Sequence, residues 1–553
     1  MEDLLKRFPL ISQIILNNVD NKSLTIFRTA SRENSNFLDS ERFYWIRNIE
    51  KYSANFEEFQ EAWKKVVNKT SVEFLEDLAI NVHNFFKGVS TRCEKQWHPL
   101  FIGAECDSLS ICEHAVKRTG DVDTKQMNGF TPLALAAQEG HFEICAYLIK
   151  YLDDKNPGEN NGKTPLHLAA QYGHLEVCKL LFHDLDDKNP KDNFGWTPLH
   201  QASIKGHLEI CAAIIMYLEN KNPASDTLTT PLHAAASYGH LEICTLLIDN
   251  VDDKNPSSAD DLTPLHMAAA KGHLKICQII MANLVNKNPS NDEGITPLHI
   301  AALKGHLEIC TLLIDKVDDK NPTRADGLTP LHIAAENGHL KICRLIMANL
   351  ADTNPEDIEG WRPLHLAAQN GHLEVCKTLV KASSLNVGKN PSLAWTPLHS
   401  AASLGHLEIC KLLMENLDNK NPSNDDGVTP FHFSAKYGHS EVCKVIMENL
   451  DNKNPEDNNG ITPLHIAAEK GHVDVYKQII QCMDDINPRD SNNGWTPLHF
   501  ASYHGHLELC EFIIEKVEDL NPCDNEGKTP IYFANERNHR AIVSLLRLAQ
   551  IKN

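Results

Sequence analysis

Along Thr164–Pro190 (TPLHLAAQYGHLEVCKLLFHDLDDKNP) apolar and small side chains recur at helical spacing and then give way to a polar run. Leu166, Ala169 and Ala170 fall on one face of a short helix. Thr164 is a good N-cap for it, and Pro165 suits the first helical position, where a missing N–H costs nothing. Gly173 stops the helix by supplying a backbone conformation that other residues resist. A second helix follows, with Leu175, Val177, Cys178, Leu180 and Leu181 as its expected buried stripe. The run Asp186-Asp187-Lys188-Asn189-Pro190 cannot continue a helix, so Pro190 to Gly195 is expected to project as a hairpin-like loop. Helices this short are not stable alone, and each pair needs a neighbour to bury its face.

The pattern repeats. A proline in this phase stands at fourteen positions from Pro99 to Pro530; eleven of the thirteen intervals are 33 residues and two are 34. A fixed period in this range marks a solenoid or a propeller. The Thr-Pro-Leu-His, Ala-Ala, Gly-His and Leu-Glu-Val elements resemble the ankyrin repeat. The resemblance implies an all-α ankyrin-repeat solenoid of about 14 helix-turn-helix-plus-loop units over residues 97–553. One departure is systematic: Asn-Pro stands where the family usually has Asn-Ala or similar at the start of the loop. The first and last units are degenerate, as expected of caps: His98-Pro99-Leu100 replaces Thr-Pro-Leu, and Tyr532 replaces His. Gly is missing three residues before the proline at Leu228, Asp261 and Ala394. Near Ala394 the helix end is stretched and the loop shortened, so a local bend is expected there.

Residues 1–50 lack the repeat. Phe8-Pro9-Leu10, Ile15-Leu16-x-x-Val19-Asp20, Ser23-Leu24, Phe27-Arg28 and Trp45 are spaced in a way that resembles the F-box. On that resemblance Phe8, Pro9, Ile15, Leu16, Leu24 and Phe27 would contact a ubiquitin-ligase adaptor, which in turn joins a cullin. Phe8 and Val19 depart from the leucines usual in that motif, and a plain helical cap fits the same residues. Residues 51–96 form an aromatic-rich amphipathic connector expected to be helical, with its boundary between Gly88 and Gln96.

Composition narrows the functional classes. The net charge is −21. Residues 1–95 balance at 14 basic and 14 acidic side chains, so the excess lies in the repeats. An acidic array is a poor fit to nucleic acid or anionic lipid, and no apolar run has membrane length. Twelve of the 16 cysteines share one repeat position, from Cys112 to Cys510, where Tyr476 and Val543 stand in two other repeats. Interchange with bulky residues reads as packing, and reduced thiols fit a cytoplasmic or nuclear protein.

Candidate chemistry is largely absorbed by the repeat. His174 and Cys178 are four apart on one helix, which alone is compatible with a metal, but the pair recurs throughout. In the ankyrin family the Thr-Pro-Leu-His side chain ties loop backbone between repeats. No phosphate-binding glycine loop, nucleophile elbow or kinase signature occurs, so neither cofactor nor catalytic residue is expected.

What varies between repeats points to a partner. Ankyrin contact positions include the residue two before the proline and the pair after Ala-Ala. The first holds Phe130, Trp196, Trp361, Trp395 and Trp495; the second holds Tyr172, Tyr238, Tyr437 and Tyr503. Aromatic anchors among acidic loops suit a target protein with apolar and basic features, held on the concave face. The tryptophans would equally serve to pack on the neighbouring loop. Two functional readings remain: a substrate-recognition subunit of a cullin-type ubiquitin ligase, or a non-catalytic scaffold unrelated to ubiquitin.

Overall fold

The computed structural model describes residues 98–105, 107–126, 128–382, 394–417, 419–483 and 486–552. The expected N-terminal motif and connector lie outside the described residues, as do residues 383–393 of the stretch from Lys381 to Trp395 where a bend is expected.

Among the described residues every regular element is a helix, and the helices come in pairs. The unit at Thr164 shows why. Helix Pro165–Tyr172 starts on Thr164, whose backbone is extended, and stops at Gly173, whose φ of 88° is left-handed. The backbone N–H of His174 then donates to the carbonyl of Ala169, closing the turn into helix Leu175–Asp184. Pro165, Leu166, Ala169 and Ala170 are buried, and the alanines let the adjacent first helices approach closely.

The second helix buries Val177, Cys178, Leu181 and Phe182. This corrects the expected stripe. Leu175 and Leu180 are only half-buried, because a period of 3.6 places 177, 178, 181 and 182 on the narrow face that meets the neighbouring pair. All twelve cysteines of the repeat position are buried free thiols.

The Lys-Asn-Pro run has a physical role that its helix-breaking character alone does not reveal. Asn189 Oδ1 accepts the backbone N–H of Leu199, ten residues on, at 2.9 Å. It thereby satisfies a donor that the first turn of the next helix leaves without an intrahelical partner. The same bond recurs from Leu166 to Asn156 and from Leu464 to Asn454. The lysine before the asparagine turns back onto the preceding helix: Lys221 Nζ donates to the carbonyl of Ile215 at 2.6 Å, and Lys453 to that of Met447 at 2.7 Å. One tripeptide thus caps two helices.

The connecting hairpins are closed by short backbone bonds, such as Asp192 N–H to the carbonyl of Trp196 at 2.8 Å. Asp192 is itself buried, and its Oδ1 accepts the N–H groups of Phe194 and Trp196 at 2.9 Å. Successive hairpins are joined by single backbone bonds: Asn193 N–H meets the carbonyl of Asn161, and Asp226 that of Phe194. Leu228, Asp261 and Ala394 adopt φ of 56°, 53° and 48°, the conformation that glycine holds in the other hairpins.

The chain divides into two compact units, one ending at Met267 and one beginning at Ala268. In the second unit, the 34-residue interval between Pro463 and Pro497 places its extra residue in the hairpin: Asp490 N–H spans five residues to the carbonyl of Trp495. The last pair ends in the longer helix Arg540–Lys552, with Arg537, Arg540 and Arg547 exposed.

Candidate protein-binding surface

In the units that carry the Pro-Leu-His or Pro-Phe-His element, two histidines hold neighbouring repeats in register, one reaching forward and one back. In the Thr-Pro-Leu-His tetrapeptide, His167 Nδ1 accepts the backbone N–H of Thr164 at 3.1 Å. That bond leaves the ring proton on Nε2, which donates to the carbonyl of Trp196, 29 residues on, at 3.0 Å. His200, His233, His332 and His432 repeat this forward bond at 3.0–3.1 Å. Burial keeps these rings neutral: it lowers the pKa of His167, and those of His200, His299, His332, His365 and His499 fall to about 4. Their forward bonds to carbonyls oppose this shift but do not outweigh it.

The Gly-His histidine reaches back. His174 Nε2 meets the carbonyl of Gln138 at 2.8 Å, and His207 that of Gln171 at 3.1 Å. Its ring occupies the space beside the preceding unit's glycine. These bonds and the burial of Cys178 use both side chains of the His174–Cys178 pair structurally. Among the described residues no group of three His, Cys, Asp or Glu side chains is placed to hold a metal. Burial raises the Cys178 thiol, and lifts those of Cys145, Cys211 and Cys510 to about 12.

With register fixed in this way, the hairpins and the first helices carry the variable side chains. Trp196, Trp361, Trp395 and Trp495 are all half-buried and lie against the tetrapeptide histidine of their own unit. Trp495 has the most ring partners among them. Its ring meets Phe500, Tyr503 and Phe533, and its indole N–H donates to Asp524 Oδ2 at 3.2 Å. Trp395 packs on Phe433 and donates to Ser400 Oγ at 2.9 Å. Phe130 is half-buried as well. The tyrosines differ: Tyr172, Tyr238 and Tyr437 are 49%, 61% and 51% exposed, whereas Tyr503 is half-buried beneath the Arg537 guanidinium. The structure therefore gives Trp395 and Trp495 intramolecular packing partners and leaves Tyr172, Tyr238 and Tyr437 open to solvent. The six expected adaptor contacts, Phe8 to Phe27, lie outside the described residues.

Sequence reasoning missed Phe194, a hairpin-tip side chain that is 64% exposed. Its signal was available, since the equivalent tip residues are Asn161 and Thr227.

A family model for ankyrin repeats, built on three copies, matches nine overlapping segments that together run from residue 100 to 552. The chain belongs to the ankyrin-repeat family. No curated protein matches it. Ankyrin repeats bind protein partners, and the array is a protein–protein interaction module on that ground. Among the described residues no helix is long and apolar enough to cross a membrane.

Proposed function

We propose that the chain is the substrate-recognition subunit of a cullin-type ubiquitin ligase, working in the cytoplasm or nucleus. The ankyrin array holds a target protein on the face made by its hairpins and first helices. Residues 1–50 bind the ligase adaptor through Phe8, Pro9, Ile15, Leu16, Leu24 and Phe27. No covalent chemistry is required of the chain. Holding a target beside the ubiquitin-carrying enzyme raises its effective concentration there, which makes an encounter between two molecules effectively intramolecular.

The observation that supports this reading is the ordered F-box-like spacing from Phe8-Pro9 to Trp45, followed by a protein-binding array. An apolar set such as Ile15, Leu16, Leu24 and Phe27 on so short a motif needs a cover, and an adaptor helix supplies one.

Purified chain mixed with a purified adaptor–cullin complex is expected to co-elute with it on size exclusion. Leu16→Asp is expected to abolish co-elution, because a charge buried without a partner is costly. Failure of the wild-type chain to co-elute would leave the array as a scaffold and residues 1–50 as its cap.

A further inference from the structure

The residue directly before the Gly-His pair or its Asn-His equivalent, which ends the first helix or follows it by one, shows a charge bias opposite to that of the chain. Over thirteen repeats this position carries Lys205, Lys271, Lys304, Lys470 and Arg537 against a single acid, Glu139, although the chain has 53 basic and 74 acidic side chains. All five cations are exposed. The acids concentrate elsewhere, at the start of the second helices (Glu176, Glu209) and in the Asp-Asp turns (Asp186-Asp187, Asp252-Asp253).

In the N-terminal unit this position reads Tyr172, Lys205, Tyr238 on three adjacent helices, Pro165–Tyr172, Pro198–Lys205 and Pro231–Tyr238, packed side by side. Lys205 makes no ion pair among the described residues and stands between two tyrosines that are 49% and 61% exposed. Next to this stripe, the residues before Tyr172, Lys205 and Tyr238 are uncharged: Gln171, Ile204 and Ser237. On the hairpin side, Lys163 Nζ donates to Gln171 Oε1 at 3.4 Å, and Phe194 projects at the tip. Exposed acids open the second helices four residues after each stripe position, at Glu176, Glu209 and Glu242, and Lys205 pairs with none of them. Glu139 is one repeat earlier, Asp226 sits at a hairpin tip, and Glu159 is half-buried within its own hairpin.

We propose that the stripe Tyr172–Lys205–Tyr238 binds an extended peptide segment that combines carboxylates with apolar side chains. The two phenol rings receive the apolar side chains, and the Lys205 ammonium pairs with a carboxylate between them. This rests on the reading of the array as the target-binding face, and it reverses the basic partner expected from total charge. Helices pack about 8–10 Å apart, so the stripe spans roughly 20 Å. That matches about six residues of extended chain at roughly 3.3 Å each. Lys205 also closes its own helix, where a cation offsets the helix dipole. That role alone would register as stability and leave peptide affinity unchanged.

The test uses the full chain and three fluorescein-labelled twelve-residue peptides: alternating glutamate and leucine, alternating lysine and leucine, and alternating glutamate and serine. Fluorescence anisotropy is expected to show tightest binding of the Glu-Leu peptide, weakening as salt is raised. Lys205→Glu, and separately Tyr172→Ala with Tyr238→Ala, are expected to lower that affinity at least ten-fold while melting temperatures show the variants folded. Absence of Glu-Leu binding, or equal binding by wild type and variants, overturns the proposal. If the Lys-Leu peptide binds instead and the tyrosine pair governs it, the face binds targets but the acidic chemistry is wrong. If the tyrosine pair governs no peptide, the target-binding reading of this face falls as well.

Discussion

Gly173 and His207 occupy one space between them. A Cβ on Gly173 would lie 2.6 Å from the His207 Cε1, and Gly173 has a φ of 88°. The glycine is thus required twice, once by its left-handed backbone and once by the ring of the next repeat. Gly173→Ala is expected to cost about 1–2 kcal/mol for the backbone and about 1–3 kcal/mol for displacing the ring. Urea unfolding of the variant measures this loss; a midpoint equal to wild type would show that the ring moves aside freely.

The tetrapeptide histidines make stability depend on pH. Their folded pKa values lie below the ordinary 6.5, at about 4 for His200, His299, His332, His365 and His499. Below pH 6.5 the unfolded chain takes up protons that the folded chain refuses. Stability is therefore full above that pH and declines as pH falls toward 4, by up to about 1.4 kcal/mol per pH unit for each such group. Loss of net negative charge on acidification acts in the opposite sense and is screened by salt. Unfolding midpoints at high salt are expected to fall steadily from pH 7.5 to 5.0. A flat profile would mean that these rings are charged in the fold.

Thiol reactivity should separate the cysteines by position. Cys482 and Cys523 are exposed, whereas the twelve of the repeat position are buried. Alkylation of native protein followed by mass spectrometry is expected to label Cys482 and Cys523 within minutes and the twelve only after unfolding, because the thiolate is the nucleophile and burial suppresses it. Rapid labelling of Cys178 or Cys310 would contradict the packing.

The tryptophans should divide in the same way. Trp495→Ala removes a ring held by Phe500, Tyr503 and Phe533 together with a donor to Asp524, and is expected to cost about 3 kcal/mol. Trp361 is paired only with His365 among the aromatic contacts of the described residues, so Trp361→Ala should perturb stability less. Thermal melts of the two variants test the order; equal losses would refute it.

The repeat made the fold legible in the sequence. Thr164, Pro165 and Gly173 mark helix boundaries through backbone chemistry that needs no tertiary context, and thirteen further copies confirm the phase. The helix stripe was less legible: Phe182 and Leu180 are both apolar, and only the neighbouring pair decides which of them is covered. The caps formed by Lys188 and Asn189 were hidden because they act across six and ten residues, beyond any local pattern. Of the aromatic site, position was legible in the sequence and exposure was not. Trp495 and Tyr172 both occupy family contact positions, yet Trp495 packs against Phe533 of the next repeat while Tyr172 stays half-exposed.

The most direct measurement is affinity purification of three forms of the full chain from cells: wild type, Leu16→Asp, and Tyr172→Ala with Tyr238→Ala. The wild-type chain is expected to bring down adaptor, cullin and target together. Leu16→Asp should lose adaptor and cullin while keeping the target, and the tyrosine pair should lose the target while keeping adaptor and cullin. A wild-type chain that carries neither adaptor nor cullin would contradict the ligase reading, and a single substitution that removes both classes of partner would contradict the separation of the two binding modules.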